Sequence, residues 1–462
     1  MISRQSDFRL CRFTAASVFC ALLGVGAQAQ EYVTSTPARA ATPAISPKSG
    51  SFTGTQKISI ADATAGATIY YTTNGATPTT NSSKYTGPLS VAKTETIKAL
   101  ATAVGFTPSS IASASYTISP QAATPAVKAA AVDGAQNGAE IVTVSDATAG
   151  ATIHYTLDGS VPTTASPIYA APFLVDSSLT VSAMATATGY ANSAVAKRHF
   201  SMSIASGTLV WSEEFANASG VPAAPDASIW TYDVGNGGWG NAELEDYCAW
   251  GSNLAPCTTA APNAYVGTDG YLHIVAAQSS PGVYTSARLK TQGLFSFRYG
   301  RFEVRAQIPE AQGYWPAAWL LGNDLAHVGW PACGEMDVQE RVDAPTHPDT
   351  TIGSVHGPGV TGGNIGTAYA FPAGQTAASF HTYGMIWSPG KVAYYVDDPA
   401  TPYVVYTPAS IAGFPGAIWP FDTGPSFIIL NLAIGGDYPG SPDASTPFPA
   451  QSLIDYVRIY AN

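Results

Sequence analysis

The sequence predicts an all-β protein divided into several sandwich domains. Its composition favours short strands and turns, with 44 glycines, 34 prolines and 24 tyrosines among 462 residues. Apolar and polar residues alternate in short runs, and no long stretch keeps the 3.6-residue period of an amphipathic helix. A chain of this length exceeds one ordinary domain, so we expect two to four domains.

The chain begins with the features of an export signal. An apolar segment runs from Phe13 to Val25, too short to span a bilayer, and Ala27-Gln28-Ala29 supplies a small-x-small cleavage site. Three arginines precede that segment: Arg4, Arg9 and Arg12. Residues 1–29 are therefore predicted to be a signal peptide cleaved near Ala29, giving a secreted protein, extracellular or periplasmic. Residues 30–40 are predicted to be a linker, and no later stretch resembles a transmembrane segment.

Two internal repeats follow the linker. The run Asp-Ala-Thr-Ala-Gly-Ala-Thr-Ile at residues 62–69 recurs 84 residues later, at residues 146–153. Each copy leads into a short alternating strand, and a hairpin signal follows it, Asn74-Gly75 in the first copy and Asp158-Gly159 in the second. Units of this size and pattern are typical of small β-sandwiches, which we place at residues 41–119 and 123–202.

Both repeats resemble the immunoglobulin-like module found at the end of chitobiases and attached to many secreted carbohydrate enzymes. They contain no catalytic constellation in their sequence. One hypothesis is that exposed aromatic residues such as Tyr71 or Tyr85 bind sugar. The alternative, which we favour, is that each repeat is a spacer whose tyrosines pack inside it. Tyr70 and Tyr71 are neighbours on a predicted strand, so at most one of them belongs to the core.

Residues 207–462 form a third region with a different composition. All nine tryptophans of the protein lie between Trp211 and Trp419. Short alternating runs continue, such as residues 301–305 and 427–432, and their number and the length of the region are enough for a large two-sheet sandwich.

The charge and the cysteines limit the function further. A net charge of −11 disfavours a nucleic-acid partner, which would require a basic patch, and is compatible with a neutral polysaccharide. Cys248 and Cys257 are close enough in sequence to bridge one loop in an oxidising compartment. Cys333 has no histidine partner suggested nearby, and we expect a buried free thiol rather than a nucleophile.

Three carboxylates stand together between Trp330 and Glu340, although charged residues make up only 11% of the chain. Read as a strand, the run directs Glu335 and Asp337 to the same face, whereas Glu340, five residues after Glu335, points to the other. One extra residue in a β-bulge between Asp337 and Glu340 would bring all three acids into one groove. The alternative is an acidic strand edge exposed to solvent.

The third region resembles glycoside hydrolase family 16, and within it the bacterial endo-β-1,3-glucanases or laminarinases. The resemblance covers Leu209 to Tyr460. Besides the acidic run it rests on nine segments in the family order: 209–215, 238–244, 284–289, 299–303, 313–319, 356–359, 380–383, 431–436 and 454–460. It implies a concanavalin A-like β-jelly roll with a sugar-binding cleft on its concave face. Members with the spacing Glu-x-Asp-x-x-Glu carry the bulge, and that spacing favours β-1,3-glucan cleavage, although agarases and carrageenases share it.

The resemblance also implies roles for the residues. Glu335 is expected to be the nucleophile and Glu340 the general acid/base of retaining hydrolysis, with Asp337 tuning both. Tryptophan rings suit the flat apolar faces of glucose. Eight residues are expected to bind substrate: Trp239, Asn241, Arg288, Trp315, Trp319, Trp330, His356 and Asn431. Two alternatives stay open, that Trp315 and Trp319 belong to the core and that His356 is only structural.

The family often carries a structural calcium ion away from the cleft, and its ligand pattern falls on Glu214, the carbonyl of Gly270 and Asp455. The alternative is that Asp455 only caps a strand end. Catalysis itself is expected to need no cofactor, and the protein is expected to be a monomer that binds β-glucan.

Some residues depart from the usual family pattern, namely Ala242, Gln339, Asp437 and Tyr438. They leave a mixed-linkage β-1,3-1,4-glucanase open as an alternative function. Intact Glu335 and Glu340 argue against a third possibility, a non-catalytic glucan-binding protein.

Overall fold

A computed structural model describes residues 36–132, 137–342, 349–360 and 365–462. The predicted signal peptide and most of the predicted linker lie outside these residues. The chain forms two compact units, one made largely of residues 36–116 and the other holding residues 117–462. In the described ranges, no helix is both long and apolar enough to cross a membrane.

The first repeat consists of two antiparallel sheets. Its strands are β1 Ala44–Ser46, β2 Gly50–Thr53, β3 Gln56–Ala61, β4 Thr68–Thr72, β5 Ser83–Lys84, β6 Leu89–Val91, β7 Glu95–Thr102 and β8 Ala112–Ser119. The sheet orders are β1-β3-β6 and β2-β8-β7-β4-β5. Strand β3 alternates between exposed residues and the buried Ile58 and Ile60, as a half-buried strand requires. Tyr71 and Tyr85 are half-buried and their rings meet edge-on at 6.4 Å.

The second repeat has the same kind of sandwich. Its strands are β9 Ala126–Ala131, β10 Glu140–Ser145, β11 Thr152–Thr156, β12 Phe173–Val175, β13 Leu179–Thr186 and β14 Ala196–Phe200. They form sheets of order β12-β10-β9 and β11-β13-β14. Its core includes Val142, Val144, Tyr155 and Phe173.

The large sandwich follows, with one sheet of ten strands and one of seven. Its strands are β15 Leu209–Glu213, β16 Thr231–Asp233, β17 Glu245–Tyr247, β18 Ala264–Val266, β19 Leu272–Ser280, β20 Val283–Ser286, β21 Arg288–Lys290, β22 Gly300–Gln307, β23 Tyr314–Gly322, β24 Glu335–Glu340, β25 Thr350–His356, β26 Gly366–Ala370, β27 His381–Ser388, β28 Lys391–Val396, β29 Val404–Tyr406, β30 Ser426–Ile434 and β31 Ala450–Tyr460. Two single-turn helices, α1 Leu325–Val328 and α2 Pro408–Ile411, and a 3₁₀ turn at Gly238–Gly240 complete it.

The seven-stranded sheet, of order β16-β21-β30-β23-β24-β25-β26, carries the acidic strand near its middle. The ten-stranded sheet is built on the path β17-β20-β19-β31-β22-β27-β28-β29, to which β15 and β18 are attached. Side chains from both sheets share one hydrophobic core, for example Leu320 and Leu430 from the seven-stranded sheet and Phe302 and Met385 from the other. The prediction of an all-β chain with a jelly-roll sandwich after two small sandwiches is confirmed.

The cysteines behave as expected. Cys248 and Cys257 form a disulfide. Cys333 is a buried free thiol, 5% exposed, and burial raises its pKa to about 12. A thiol with so high a pKa is not a nucleophile at neutral pH.

Candidate active site

A β-bulge brings the three acids of β24 to one face. Against β23, Glu340 pairs with Ala317 and Gln339 with Ala318, but Trp319 pairs with Asp337, so Val338 has no partner of its own. The same irregularity lies between Asp337 and Glu340 against β25. Glu335, Asp337 and Glu340 all line one cleft, whereas Val338 is buried in the core. The predicted bulge is therefore present, and the acids are not a solvated strand edge.

Strand β23 supplies the cleft wall beside the acids. Its even-numbered residues, including Tyr314 and Leu320, point into the core, while every odd-numbered residue from Trp315 to Leu321 lines the cleft. The register places this strand between β24 and β30. The even spacing of Trp315 and Trp319 thus directs both rings towards the cleft, and the alternative of two core tryptophans is wrong.

The two other predicted tryptophans come from loops. Trp239 lies in the 3₁₀ turn between Gly238 and Gly240, whose φ angles of +66° and +88° are in the left-handed region that glycine adopts readily. Trp330 lies in the loop before β24 and is half exposed. Both rings line the cleft.

Glu335 and Glu340, the two outer acids, each accept a hydrogen bond from a tryptophan of the cleft. The indole N–H of Trp330 donates to Glu335 Oε2 at 2.9 Å, and that of Trp315 donates to Glu340 Oε1 at 2.9 Å. Each hydrogen bond fixes the orientation of its own carboxylate, because the two acids have different indole donors.

Asp337 lies between the outer acids and is held by the neighbouring strand β25. It accepts a hydrogen bond from the Ser354 hydroxyl at 2.7 Å, and Nε2 of His356 lies 3.1 Å from its Oδ2. The same His356 nitrogen is 3.7 Å from Glu335 Oε1. His356 therefore touches two of the three acids, which argues against a purely structural histidine.

The cleft raises the pKa values of the outer acids and of the histidine. Withdrawal from water is the largest cause for Glu335 and Glu340, and the charge of Asp337 adds to it, so that the pKa of each carboxyl is raised above its usual range. Burial alone would lower the pKa of His356, but its hydrogen bond with Asp337 and the charges of the three acids outweigh burial and raise it to about 9. His356 is therefore an imidazolium at neutral pH.

This arrangement separates the two outer acids chemically. Glu335 and Glu340 cannot both be ionised at neutral pH without strong mutual repulsion, so one of them keeps a proton. The His356 imidazolium lies within 4 Å of Glu335 and favours the carboxylate there, which leaves the proton on Glu340. A carboxylate and a carboxylic acid on one face of a cleft are the two groups that glycoside hydrolysis requires.

We expect the Trp315→Phe variant to keep its activity to higher pH. The Trp315 hydrogen bond stabilises the Glu340 carboxylate, so its loss raises the pKa of Glu340, and the acid keeps its proton further into the alkaline range. The alkaline limb of kcat/KM against pH should therefore move upwards. Trp319→Phe is the control, because the Trp319 indole donates to Asn431 and not to an acid. An unmoved or lowered limb in Trp315→Phe would contradict the assignment of Glu340 as the proton donor.

The predicted polar residues lie at the same end of the cleft. Asn241, Arg288 and Asn431 line it together. The Arg288 guanidinium is 5.2 Å from the Trp239 ring and 4.7 Å from the Trp319 ring, and its Nε lies 3.0 Å from Asp233 Oδ2. The arginine therefore orders two aromatic walls at once.

Sequence reasoning missed the residues that orient this polar end. Tyr247 accepts a hydrogen bond from Asn431 at 3.2 Å and donates to Glu243 Oε2 at 2.7 Å, while Asn241 donates to Glu243 Oε1 at 3.2 Å. Ser354 was missed in the same way. A signal for Ser354 exists, since it lies two residues before His356 and so faces the same side of β25.

The predicted calcium ligands lie on neighbouring backbone segments. Strand β15 pairs Glu213 with Val457 of β31, and β19 pairs Leu272 with Ile454, which brings Glu214 and Gly270 beside the stretch that holds Asp455. Both carboxylates serve arginines, however. Glu214 accepts two hydrogen bonds of 2.8 Å from Arg458, and Asp455 is paired with Arg305. Carboxylates engaged by guanidinium groups do not fit a cation site in this arrangement, and the calcium ion stays a prediction.

Within the part of the chain that the structure describes, one further group of side chains has the composition of a metal site. Glu335, Asp337 and His356 bring ligand atoms within 4.8 Å of one another. Nε2 of His356 is already paired with Asp337 Oδ2 at 3.1 Å and lies 3.7 Å from Glu335 Oε1, so the histidine itself balances the charge of these acids. We assign no metal to the cleft.

Family comparisons agree with this geometry. Residues 253–448 match the family described as glycosyl hydrolases family 16, and residues 47–115 and 131–197 match the chitobiase/beta-hexosaminidase C-terminal domain.

Individual relatives each match slightly more than half of the chain. A beta-glucanase from Rhodothermus marinus is 38% identical over 267 residues, which cover 54% of this chain and 84% of that protein. Glucan endo-1,3-beta-glucosidase A1 from Niallia circulans is 34% identical over 56% of this chain, but the match spans only 38% of the relative. The solved laminarinase catalytic domain from Thermotoga maritima is 40% identical, with 55% of this chain and 98% of that chain covered and a TM-score of 0.47.

Proposed function

The chain belongs to glycosyl hydrolase family 16, and we propose that it is a secreted endo-β-1,3-glucanase that cleaves laminarin-like glucan with retention of configuration. Glu335 is the nucleophile and Glu340 the general acid/base. Asp337 and the His356 imidazolium set the charges of the pair. Seven of the eight predicted binding residues line the cleft and bind the glucan, namely Trp239, Asn241, Arg288, Trp315, Trp319, Trp330 and Asn431, whereas His356 contacts the acids.

One observation carries the proposal, the Val338 bulge that turns Glu340 to the face of Glu335 and Asp337. In retaining hydrolysis the ionised Glu335 attacks the anomeric carbon while Glu340 gives its proton to the leaving oxygen. A covalent glycosyl-enzyme forms, and Glu340, now a carboxylate, removes a proton from the incoming water. The water oxygen bonds to the anomeric carbon, and Glu335 leaves as a carboxylate.

The choice of β-1,3-glucan is supported by the Glu-x-Asp-x-x-Glu spacing and by the Niallia relative, which is named an endo-1,3-glucosidase. The name of the Rhodothermus relative specifies no linkage. Tyr438, one of the residues that depart from the family pattern, lies edge-on to Trp315 at 5.5 Å, at the rim of the cleft. A mixed-linkage β-1,3-1,4-glucanase is our second candidate, because Tyr438 departs from the family pattern beside a cleft tryptophan and a relative named endo-1,3-1,4-beta-glycanase is 34% identical.

We expect rapid release of reducing ends from laminarin, with a mixture of short oligosaccharides as early products because cleavage is internal. The measurement compares laminarin, lichenan, agarose and carrageenan at equal mass. Faster cleavage of lichenan would favour the mixed-linkage enzyme, and no cleavage of any polymer would refute the enzymatic function. Proton NMR of the first product anomer tests retention, which predicts the β form.

Secretion rests on the sequence of residues 1–29 and on the Cys248–Cys257 disulfide, a bond typical of oxidising compartments. The test is the amino terminus of the protein recovered from culture medium or periplasm. A mature chain that begins near Gln30 supports the proposal, and an intact chain retained in the cytoplasm contradicts it.

A further inference from the structure

The second repeat shares a hydrophobic core with the large sandwich. Val132, Ala139 and Leu174 of the repeat belong to the same buried cluster as Val210 and Trp211 of the sandwich. Backbone contact accompanies the packing, since the amide of Leu174 donates to the carbonyl of Ser296 at 2.9 Å. A shared core of this kind is not the property of a spacer, the role that we favoured for both repeats from the sequence.

The residues of the second repeat in this shared core, Val132, Ala139, Ile141 and Leu174, form what we call the docked face. This face is specific to the second repeat. The 84-residue offset aligns three of its apolar contact residues with polar residues of the first repeat: Val132 with Lys48, Ile141 with Lys57 and Leu174 with Ser90. Those three polar residues are exposed in the first repeat. Burying two lysines without partners would be strongly unfavourable, so only the second repeat has a face suited to this packing.

A chain of hydrogen bonds runs from this docked face towards the cleft. The Ser296 hydroxyl, fully buried, donates to the carbonyl of Pro172 in the second repeat at 2.9 Å. The same hydroxyl accepts a hydrogen bond of 2.6 Å from the side-chain amide of Asn323. The backbone amide of Asn323 donates to the carbonyl of Pro425 at 2.9 Å. Asn323 immediately follows β23, the strand of the cleft tryptophans.

A narrow cavity lies between the second repeat and the same loop. Tyr155 of the second repeat is 4% exposed and lines a narrow cavity with Asn323, Asp324 and Cys333. These three belong to the segment 322–334, which links β23 to β24. The hydrogen bonds through Ser296 and this cavity therefore involve the same segment of the large sandwich.

The segment 322–334 carries two residues of the cleft. Leu325 and Trp330 line it, and Trp330 donates the hydrogen bond to Glu335. The segment is closed tightly at its base, where the Gly322 amide donates to the Gly334 carbonyl at 3.2 Å and a Cβ on Gly322 would collide with the Cys333 carbonyl. A displacement of Asn323 would therefore be transmitted to the position of the Trp330 ring.

We propose that the second repeat is a positioning element of the active site, which holds the segment 322–334 through Leu174, Tyr155 and the Pro172–Ser296–Asn323 hydrogen bonds. The proposal rests on the proposed hydrolase function only for its effect on catalysis. Its structural part concerns the docked face and the order of the segment.

The first test measures order without activity. Leu174→Ser gives the second repeat the residue that the first repeat carries, so the sandwich itself should still fold. Ser296→Ala removes the bridging hydroxyl. Amide hydrogen exchange of peptides covering 322–334 should become faster in both variants than in the wild type. The matched control is Val161→Ser, an apolar residue of the same repeat that is 63% exposed. Unchanged exchange in both test variants would overturn the proposal.

The second test measures catalysis on a soluble β-1,3-glucan oligosaccharide. Leu174→Ser should lower kcat/KM about tenfold, the scale of losing one hydrogen bond to a charged group. Since the Trp330 hydrogen bond lowers the pKa of Glu335, the acid limb of the pH profile should move to higher pH in Leu174→Ser, as in Trp330→Phe. The other titratable groups around Glu335, namely His356, Asp337 and Glu340, are unchanged in both variants.

A double-mutant cycle separates positioning from general destabilisation. If the repeat acts through Trp330, Leu174→Ser should have little further effect on kcat/KM in the Trp330→Phe background. Additive losses, or a loss of kcat/KM with an unmoved acid limb, would overturn the positioning role. If the wild type cleaves no glucan, the proposed function fails, while the hydrogen-exchange test still decides whether the repeat orders the segment.

Discussion

Replacing Glu335 by glutamine is expected to abolish turnover and to leave glucan binding. The amide keeps the shape of the side chain but cannot attack the anomeric carbon. We expect kcat to fall by roughly 10⁴-fold or more, the scale seen when hydrolases lose a nucleophile or its base. Binding should persist, because the cleft aromatic and polar residues are untouched. The measurements are the rate of reducing-end release from laminarin and the affinity for a laminarin oligosaccharide by calorimetry.

Glu95→Gln, the same chemical change in the first repeat, serves as the control for Glu335→Gln and should be fully active. Two outcomes would count against the nucleophile assignment. One is near-normal turnover in Glu335→Gln. The other is a loss of turnover that comes entirely from lost affinity, because a nucleophile acts in the chemical step and not in ground-state binding.

Replacing Glu340 by alanine is expected to give a loss that depends on the leaving group. Laminarin, with a poor sugar leaving group, needs the proton of Glu340, and we expect kcat to fall by about 10²- to 10⁴-fold. An aryl glycoside with an acidic phenol leaves without a proton, so its glycosyl-enzyme should still form. The intermediate should then accumulate, because water lacks its general base. A burst of phenol followed by slow turnover is the expected measurement.

Added azide sharpens the test of Glu340. Azide needs no general base, so it should restore turnover of the aryl glycoside in Glu340→Ala and give the β-glycosyl azide, with configuration retained. In Glu335→Ala azide would instead take the place of the missing nucleophile and give the α-glycosyl azide. NMR of the products distinguishes the two. The α product from Glu340→Ala would mean that the roles of the two acids are exchanged.

Much of the candidate site follows from the sequence because it depends on strand periodicity. The even spacing of Trp315 and Trp319 predicts a shared face, and the odd spacing of Glu335 and Glu340 predicts either a bulge or a separation. Periodicity alone leaves that choice open. The resemblance to known hydrolases supplied the bulge, and the structure places its extra residue at Val338.

The remaining features depend on contacts between distant segments. Tyr247 meets Asn431 across 184 residues, and Ser296 meets Pro172 across 124, separations at which no local pattern reports a partner. The docking of the second repeat was missed for a different reason. Its signal, apolar residues where the first repeat has lysine or serine, exists in the sequence but appears only when the two repeats are compared position by position.

The bulge at Val338 has a consequence for how the acidic strand can change in evolution. Loss of the single codon for Val338 would leave Glu335 and Glu340 four positions apart, an even number, and all three acids would still face the cleft on a regular strand. Gain of one codon between Asp337 and Glu340 would also make the separation even, at six positions, but a regular strand would then carry the second glutamate roughly 6.6 Å further from Glu335 than the deletion does, too far for the close pair of carboxylates that retaining hydrolysis requires. Deletions at this point are therefore far better tolerated than insertions, and a lineage can pass between long and short acidic motifs in one step without losing its chemistry.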